Sequence, residues 1–491
     1  MTPPRLVIVG GGVTGLSLAC TIQDEARRRQ APLALTVLEA GPAAGGHART
    51  IHADGFAIEA GPNGFLSREP ETLALVEMLG LSDRLVEANP AARRRFIVRD
   101  GRLCLVPDSP KALVTSAALS WRGKLRLLAE PFASGPPGRE ETVHEFATRR
   151  IGREAADMLV DTAVSGISAG DSHRLSVGAQ FPMMTDMERE HGGLFRAMFA
   201  RRKAGQGPSR LMGFDRGMGV LTGAMVCRLG AALQVGRAAR GVERHGRGWR
   251  VHLKDGEALE ADHVVLATPA RVAAPMVSGL DQALAAAMLD IPYSGVAVVA
   301  CGFRVDDIPR PLDGYGYLVT RAEGLATLGV LWESTIFPRR APEGMALLRV
   351  FIGGARRPDI VTMDEEALVD LARVELQRVL GVVRAPAHVS VFRWPEAIAQ
   401  YTLGHAERRA RIATRLLQHE GLHVCGTSYD GVSFNHAVKS GRGTARILAE
   451  RLWPAASSDL STVARPGGVG RATADARPGE GDRANTARVS A

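Results

Sequence analysis

An α/β architecture is predicted for this chain, with parallel strands feeding helices at both ends and a helical block between them. Three observations predict it. A short apolar, β-branched run at residues 6–9 is followed at once by a glycine-rich turn, a helical pattern over 13–29 and a second strand over 34–39. Strand-like runs recur at 249–253, 263–267, 296–303, 346–352 and 422–425. Helical periodicity dominates 110–203, so a helical block interrupts a chain that is otherwise mixed α and β.

The remaining bulk properties narrow the class. At about 150 residues per domain, 491 residues suggest several domains, and such a chain buries a full core without staples. Hydrophobic residues make up 45% and charged residues 23%, which excludes a disordered, collagen-like or coiled-coil protein. The five cysteines, Cys20, Cys104, Cys227, Cys301 and Cys425, form no CxxC pair, so no cysteine zinc site is expected. No apolar run approaches the ~18 residues of a membrane span, and the N-terminus reads as a strand rather than a signal peptide. The +9 charge admits a nucleic-acid or anionic-membrane partner. Only five of the 61 basic residues are lysine, so a GC-rich genome would also produce it. Residues 134–139 and 204–209 read as loops, and 455–491, without aromatics, read as a disordered tail.

The glycine turn carries the first chemistry. Gly10, Gly12 and Gly15 stand in GxGxxG spacing, with Gly11 between them. Gly10 permits the tight turn, Gly12 lets the backbone approach a pyrophosphate, and Gly15 lets helix and strand pack closely. The helix N-terminus offers free N–H groups to phosphate. Glu39, 24 residues past Gly15, suits a ribose hydroxyl and would repel a 2′-phosphate. A Rossmann-like dinucleotide site follows, with FAD or NAD open at this point. The next residues favour FAD, because Gly45-Gly46 with Arg49, and Gly61-Pro62-Asn63-Gly64 after Glu59, add two glycine turns along a longer ligand. Near the other end, Gly426 to Val432 form a glycine turn between a strand and a helix, as a second contact with the flavin would require.

Four stretches together resemble the FAD-dependent protoporphyrinogen/coproporphyrinogen oxidases of heme biosynthesis. They are VIVGGGVTGL with AGGHART and EAGPNGF; NPAARRRFIVRDGRL; SGISAGD with FPMMTDMEREHGG; and RWPEAIAQYTLGH with CGTSYDGVSFNHAVKSG. The first is shared by amine oxidases and phytoene desaturases, whereas the others are narrower, and the likeness runs over residues 5–452. It implies a discontinuous FAD-binding domain (1–88, 206–270, 386–454), an inserted mixed-sheet substrate domain (89–108, 271–385) and a helical, membrane-associated domain (109–205). On this mapping Gly61 to Gly64, Val235, Trp394, Val432, Ser433 and Phe434 contact FAD. Arg95 pairs with a propionate, the Gly166 carbonyl faces the tetrapyrrole, and Tyr315, Leu318 and Phe351 clamp the macrocycle. The residue chemistry agrees, since an apolar ring with carboxylates at its rim needs apolar walls and a guanidinium.

The implied reaction is a six-electron oxidation of a porphyrinogen, in three two-electron steps to flavin N5, with dioxygen leaving as hydrogen peroxide. No side chain is assigned as catalytic acid or base, and no metal is expected. Protoporphyrinogen IX is the leading substrate and coproporphyrinogen III the alternative. A non-catalytic flavin- or porphyrin-binding paralogue is the reading from another class. Its support is Ala399, where the family usually has proline, and His436-Ala437, where it usually has Asp-Cys. Tyr315 likewise replaces a usual phenylalanine. Gly166 to Gly170 reads GxSxG, but a helical pattern precedes it where a nucleophile elbow needs a strand. Basic amphipathic segments around Trp121, Leu125 and Leu128, and around Leu194, Phe195, Met198 and Phe199, suit an anionic membrane surface. The expectation is a cytoplasmic protein, peripheral on the inner face of the cell membrane, without nucleic-acid partners and with a homodimer open. Thr142 and Glu145 predict a capping box.

Overall fold

The computed structural model describes residues 2–203 and 209–454. The loop predicted at 204–209, apart from Ser209, and the tail predicted at 455–491 lie outside the described residues.

Strand Arg5–Val9 sits inside a five-stranded parallel sheet. The order across it is Leu233–Val235, Ala34–Glu39, Arg5–Val9, His263–Leu266 and Leu422–Val424. The period-two alternation of a strand divides its side chains between two cores. Leu6 and Ile8 face helices Val13–Arg28 and Phe434–Leu452. Val7 and Val9 face the opposite core, built with Trp249, Val251 and the helices Ala270–Val277 and Gln282–Leu289. The two helices on the first face cross closely because Gly441 stands at the contact; a Cβ there would lie 2.3 Å from the Thr14 carbonyl oxygen. A three-stranded antiparallel sheet, Ala239–His245, Gly248–Leu253 and Ala258–Ala261, contributes Trp249 and Val251 to the second core.

A seven-stranded mixed sheet forms the second body, in the order His388–Ala399, Tyr293–Arg304, Met345–Gly353, Thr327–Trp332, Gly316–Val319, Arg95–Arg99 and Arg102–Leu105. Only the Gly316–Val319/Arg95–Arg99 pair is parallel. One face is sealed by helix Glu365–Leu380 through Leu368, Ala372 and Leu376. The boundary placed at residue 386 needs correction here. His388–Ala399 is an edge strand of this sheet, hydrogen-bonded along Tyr293–Arg304, although Trp394 on it reaches back to the cofactor side.

The helical block follows its predicted pattern. Thr142 Oγ1 accepts from the Glu145 N–H at 3.1 Å and Glu145 Oε2 accepts from the Thr142 N–H at 2.9 Å, a capping box that starts helix Val143–Ile151. A buried ion pair, Arg150 with Glu130, sits inside the block; the carboxylate also accepts the N–H groups of Leu194 (2.8 Å) and Phe195 (3.2 Å), which open helix Leu194–Lys203. The GxSxG segment begins on the last turn of helix Thr162–Ser168, which a π-helical turn, Ala156–Asp161, leads into, and runs out past its cap at Ala169. Ser168 is buried and donates to the Val164 carbonyl at 2.9 Å, so its hydroxyl is not presented as a nucleophile.

Candidate active site

The parallel strands Arg5–Val9 and Leu422–Val424 end at the same edge of their sheet, and each continues through glycines toward a helix N-terminus. Ligands of such sheets bind at this carboxyl edge. Gly10 takes φ +113°, open only to glycine, and a Cβ on Gly15 would lie 1.9 Å from the Gly10 oxygen. At Gly12 a Cβ would meet nothing within 4 Å, so this backbone faces an open cleft, and helix Val13–Arg28 starts there without a side-chain cap. Its first N–H groups are thereby free for a pyrophosphate. The Glu39 carboxylate accepts from the N–H groups of Gly11 (2.9 Å) and Gly41 (2.7 Å), which fixes it at the cleft's end, with Val235 in register beside it. Gly45 donates to the Gly11 oxygen at 2.8 Å, so the second glycine turn closes on the first. The third predicted contact, Gly426 to Phe434, leads into helix Phe434–Leu452, capped by Ser433; Phe434 stacks on Phe65. These residues fit a dinucleotide with a flavin beyond Gly46.

Past that turn the residues expected at the cofactor and those expected at the substrate meet. Trp394 donates to the Ala60 oxygen at 2.8 Å, packs edge-on against His47 (4.5 Å between ring centroids) and lies under the Arg49 guanidinium at 5.3 Å. Trp394 shares one apolar cluster with Phe351, Val298 and Phe392. Leu318, Gly329 and Phe351 occupy one register row across three neighbouring strands. Gly329 keeps that row open, since a Cβ there would strike the Leu318 methyl at 2.7 Å. Helix Thr162–Ser168 approaches Leu318 so closely that a Cβ on Gly166 would lie 2.4 Å from it. The Arg95 guanidinium stands 5.4 Å over the Tyr315 ring. Tyr315, Leu318 and Phe351 are only half-buried, as walls of a site should be.

The arginine triplet divides by partner. Arg94 is ion-paired to Asp313 and lies over Phe96, whereas Arg95 has no carboxylate partner among the described residues. Two departures from the family pattern are also placed. Ala399 is buried at a strand end, and the His436 imidazole accepts or donates at Ser433 Oγ (2.9 Å) while resting against Gly431, where it leaves no room for a side chain. Burial pushes the His436 imidazole below its ordinary pKa.

Sequence reasoning missed three charged residues here. Arg349, Glu333 and Arg340 are fully buried between the two bodies, and Arg349 donates to the Gly61 oxygen. Their one signal was a charge inside or beside an apolar run, as in MALLRVFIG. Elsewhere, His144, Asp157 and His173 cluster in the helical block. The two imidazoles stack at 3.7 Å and 21°, and His144 Nε2 is engaged by Asp157 at 2.6 Å.

The family profile described as flavin containing amine oxidoreductase matches residues 13–449. Protoporphyrinogen oxidase 1, chloroplastic, of Arabidopsis thaliana is 32% identical over 469 residues, covering 89% of this chain and 87% of that protein. Coproporphyrinogen III oxidase of Bacillus subtilis is 28% identical over 456 residues, covering 89% and 96% respectively. Among solved structures, a candidate protoporphyrinogen oxidase from Exiguobacterium sp. 255-15 superposes with a TM-score of 0.80 at 25% identity, covering 92% of this chain and all of that one. Cyclohexylamine oxidase from Brevibacterium oxydans shares the fold, with a TM-score of 0.68 at 16% identity over 92% and 99% of the two chains. The chain belongs to the flavin-containing amine oxidoreductases and, among them, to the protoporphyrinogen/coproporphyrinogen oxidases of heme biosynthesis. It is an FAD flavoprotein and an oxidoreductase.

Proposed function

We propose that this protein oxidises protoporphyrinogen IX to protoporphyrin IX, with dioxygen as final acceptor and hydrogen peroxide as by-product. The observation that carries the choice is the inventory of guanidinium groups around the clamp. Arg94 is held by Asp313, Arg349 by Glu333, Arg356 by Asp161, and Arg321 by Asp161 and Asp171. Arg95, over Tyr315, has no carboxylate partner among the described residues and is left for the substrate; the exposed Arg93 is likewise unpaired but stacks on no clamp ring. One unpaired group over a clamp ring suits a substrate with propionates on one side and vinyls on the other; coproporphyrinogen, with two further propionates, calls for more.

The flavin supplies the two-electron acceptor when bound. The protein's own residues bind and orient: Leu318, Phe351 and the helix at Gly166 exclude water from the ring faces, and Arg95 fixes its rim. Flavin-loaded protein incubated in air with each porphyrinogen should develop porphyrin fluorescence and peroxide faster with protoporphyrinogen. A preference for coproporphyrinogen would install the Bacillus-type reaction, and activity on neither would sink the proposal. Arg95→Ala should raise the apparent Michaelis constant about ten- to hundredfold, as expected for a lost charged hydrogen bond of about 1.5–3 kcal/mol. Flavin content should stay unchanged, and loss of flavin would reassign Arg95.

We further propose that the helical block rests on anionic lipid, placing the protein in the cytoplasm, peripheral on the inner face of the membrane. Trp121, Leu125, Leu128, Phe132 and Phe199 are all more than half exposed, with Phe132 at 89%. Arg122, Arg202 and Lys203 are exposed on the same block. No helix among the described residues is long and apolar enough to cross a membrane, so the contact is with the surface. The protein should sediment with phosphatidylglycerol vesicles and not with phosphatidylcholine, and Trp121→Ser with Leu125→Ser should abolish this; equal binding to both lipids would refute it.

A further inference from the structure

The loop that follows Glu59 belongs to the cofactor side, yet side chains from the substrate-side body hold it almost residue by residue. Arg340 pairs with Glu59 at 3.1 Å. Trp394 donates to the Ala60 oxygen at 2.8 Å. Arg349 donates to the Gly61 oxygen. Asn63 donates to Glu333 Oε2 at 3.5 Å. Glu333 and Arg349 close the set with an ion pair at 3.2 Å.

Glu59, Glu333, Arg340 and Arg349 are each 0% exposed. Buried ion pairs of this kind are poor devices for stability, because apolar residues of similar volume serve as well or better. What they do supply is position, since a shift of either member leaves a buried charge uncompensated. The loop has little freedom of its own: a Cβ on Gly61 would lie 2.4 Å from the His47 oxygen. Arg349 also reaches the other partner of the reaction. Its guanidinium lies 5.0 Å over the ring of Phe351, the clamp residue. The charges of Glu333 and Arg349 also lie close enough to act on the Tyr315 hydroxyl, and the Tyr315 ring underlies Arg95.

We infer that Arg349 and Glu333 are positioning residues, which set the flavin loop at Gly61 to Asn63 and tie its place to that of the macrocycle clamp. The link to the clamp rests on the porphyrinogen reading; the link to the flavin does not. Neither residue touches the reacting atoms in this account. They hold the groups that do.

The test uses the full chain with Arg349→Lys and, separately, Glu333→Gln. Lysine keeps the charge but reaches only one of the two acceptors, and glutamine keeps the shape but loses the pair. The readouts are far-ultraviolet dichroism for folding, FAD dissociation by quenching of flavin fluorescence, and the visible flavin spectrum. Folded variants should bind FAD at least tenfold more weakly and show a shifted flavin band, and Arg349→Lys, which loses the guanidinium over Phe351, should also raise the Michaelis constant for porphyrinogen severalfold. Folded variants with the parent's FAD affinity and spectrum would overturn the inference. So would failure of both to fold, which would assign the pair to folding alone. If the parent chain oxidises no porphyrinogen, the substrate proposal falls and the FAD measurements still decide this one.

Discussion

Alanine at Gly15 should produce a chain that no longer retains FAD. Its Cβ would sit 1.9 Å from the Gly10 oxygen, and that neighbour is backbone with no rotamer to adopt. The helix must move off the strand, and with it the N–H groups aimed at the pyrophosphate. Overpacking of this kind costs about 1–3 kcal/mol in stability. If the lost phosphate contacts weaken binding by about 3 kcal/mol or more, affinity falls at least a hundredfold. Flavin released on gel filtration and a lowered midpoint of thermal unfolding are the expected results. A Gly15→Ala protein that elutes yellow, with the parent's midpoint, would show that the turn tolerates a side chain.

Glu130→Ala should destabilise the helical block by about 3–5 kcal/mol, the cost of stranding one member of a buried ion pair. Arg150 is 1% exposed, and its remaining carboxylate, Glu188, lies 3.3 Å away and is shared with Arg149. The N–H groups of Leu194 and Phe195 would lose their acceptor as well. Burial alone would push the Glu130 carboxyl up, but the bonds from Leu194, Arg150 and Phe195 outweigh it and hold it below the ordinary 4.5. The folded state therefore binds its proton less readily than the unfolded chain. This contribution is present above pH 4.5 and is lost as the pH falls below that value through the lower folded-state one. Limited proteolysis at neutral pH should cut the variant within residues 110–203 before the rest of the chain. Equal cutting of both proteins would count against the pair.

What the sequence disclosed and what it hid follow from range. GxGxxG, Glu39 and the capping box at Thr142 are local: their residues lie within one turn or one βαβ unit, and local geometry assigns their tasks. Arg349 is a single charge inside an apolar run and Glu333 a single charge beside Trp332, and the loop they hold lies 270 or more positions away. Nothing in their neighbourhood names that partner. The edge strand His388–Ala399 was harder for another reason. Its backbone pairs in one body while Trp394 serves the other, so a motif that marks the cofactor side concealed a strand of the substrate sheet. The exposure of Trp121 and Phe132 was likewise undetermined by periodicity, which finds an apolar face but not what it packs against.

The order of strands in the parallel sheet has a consequence for how this protein is made. Arg5–Val9 emerges from the ribosome about 250 residues before its neighbour His263–Leu266. At about 5–20 residues per second, the first nucleotide motif waits roughly 10–50 s for half of its sheet. Strand Leu422–Val424 and helix Phe434–Leu452, which covers the first helix, come later still. The pocket for the cofactor is therefore closed only after helix Phe434–Leu452 has been made, and a chain that stops short of it should be born without flavin. Retained colour thus becomes a proofreading mark: only a polypeptide made at least through helix Phe434–Leu452 can carry it.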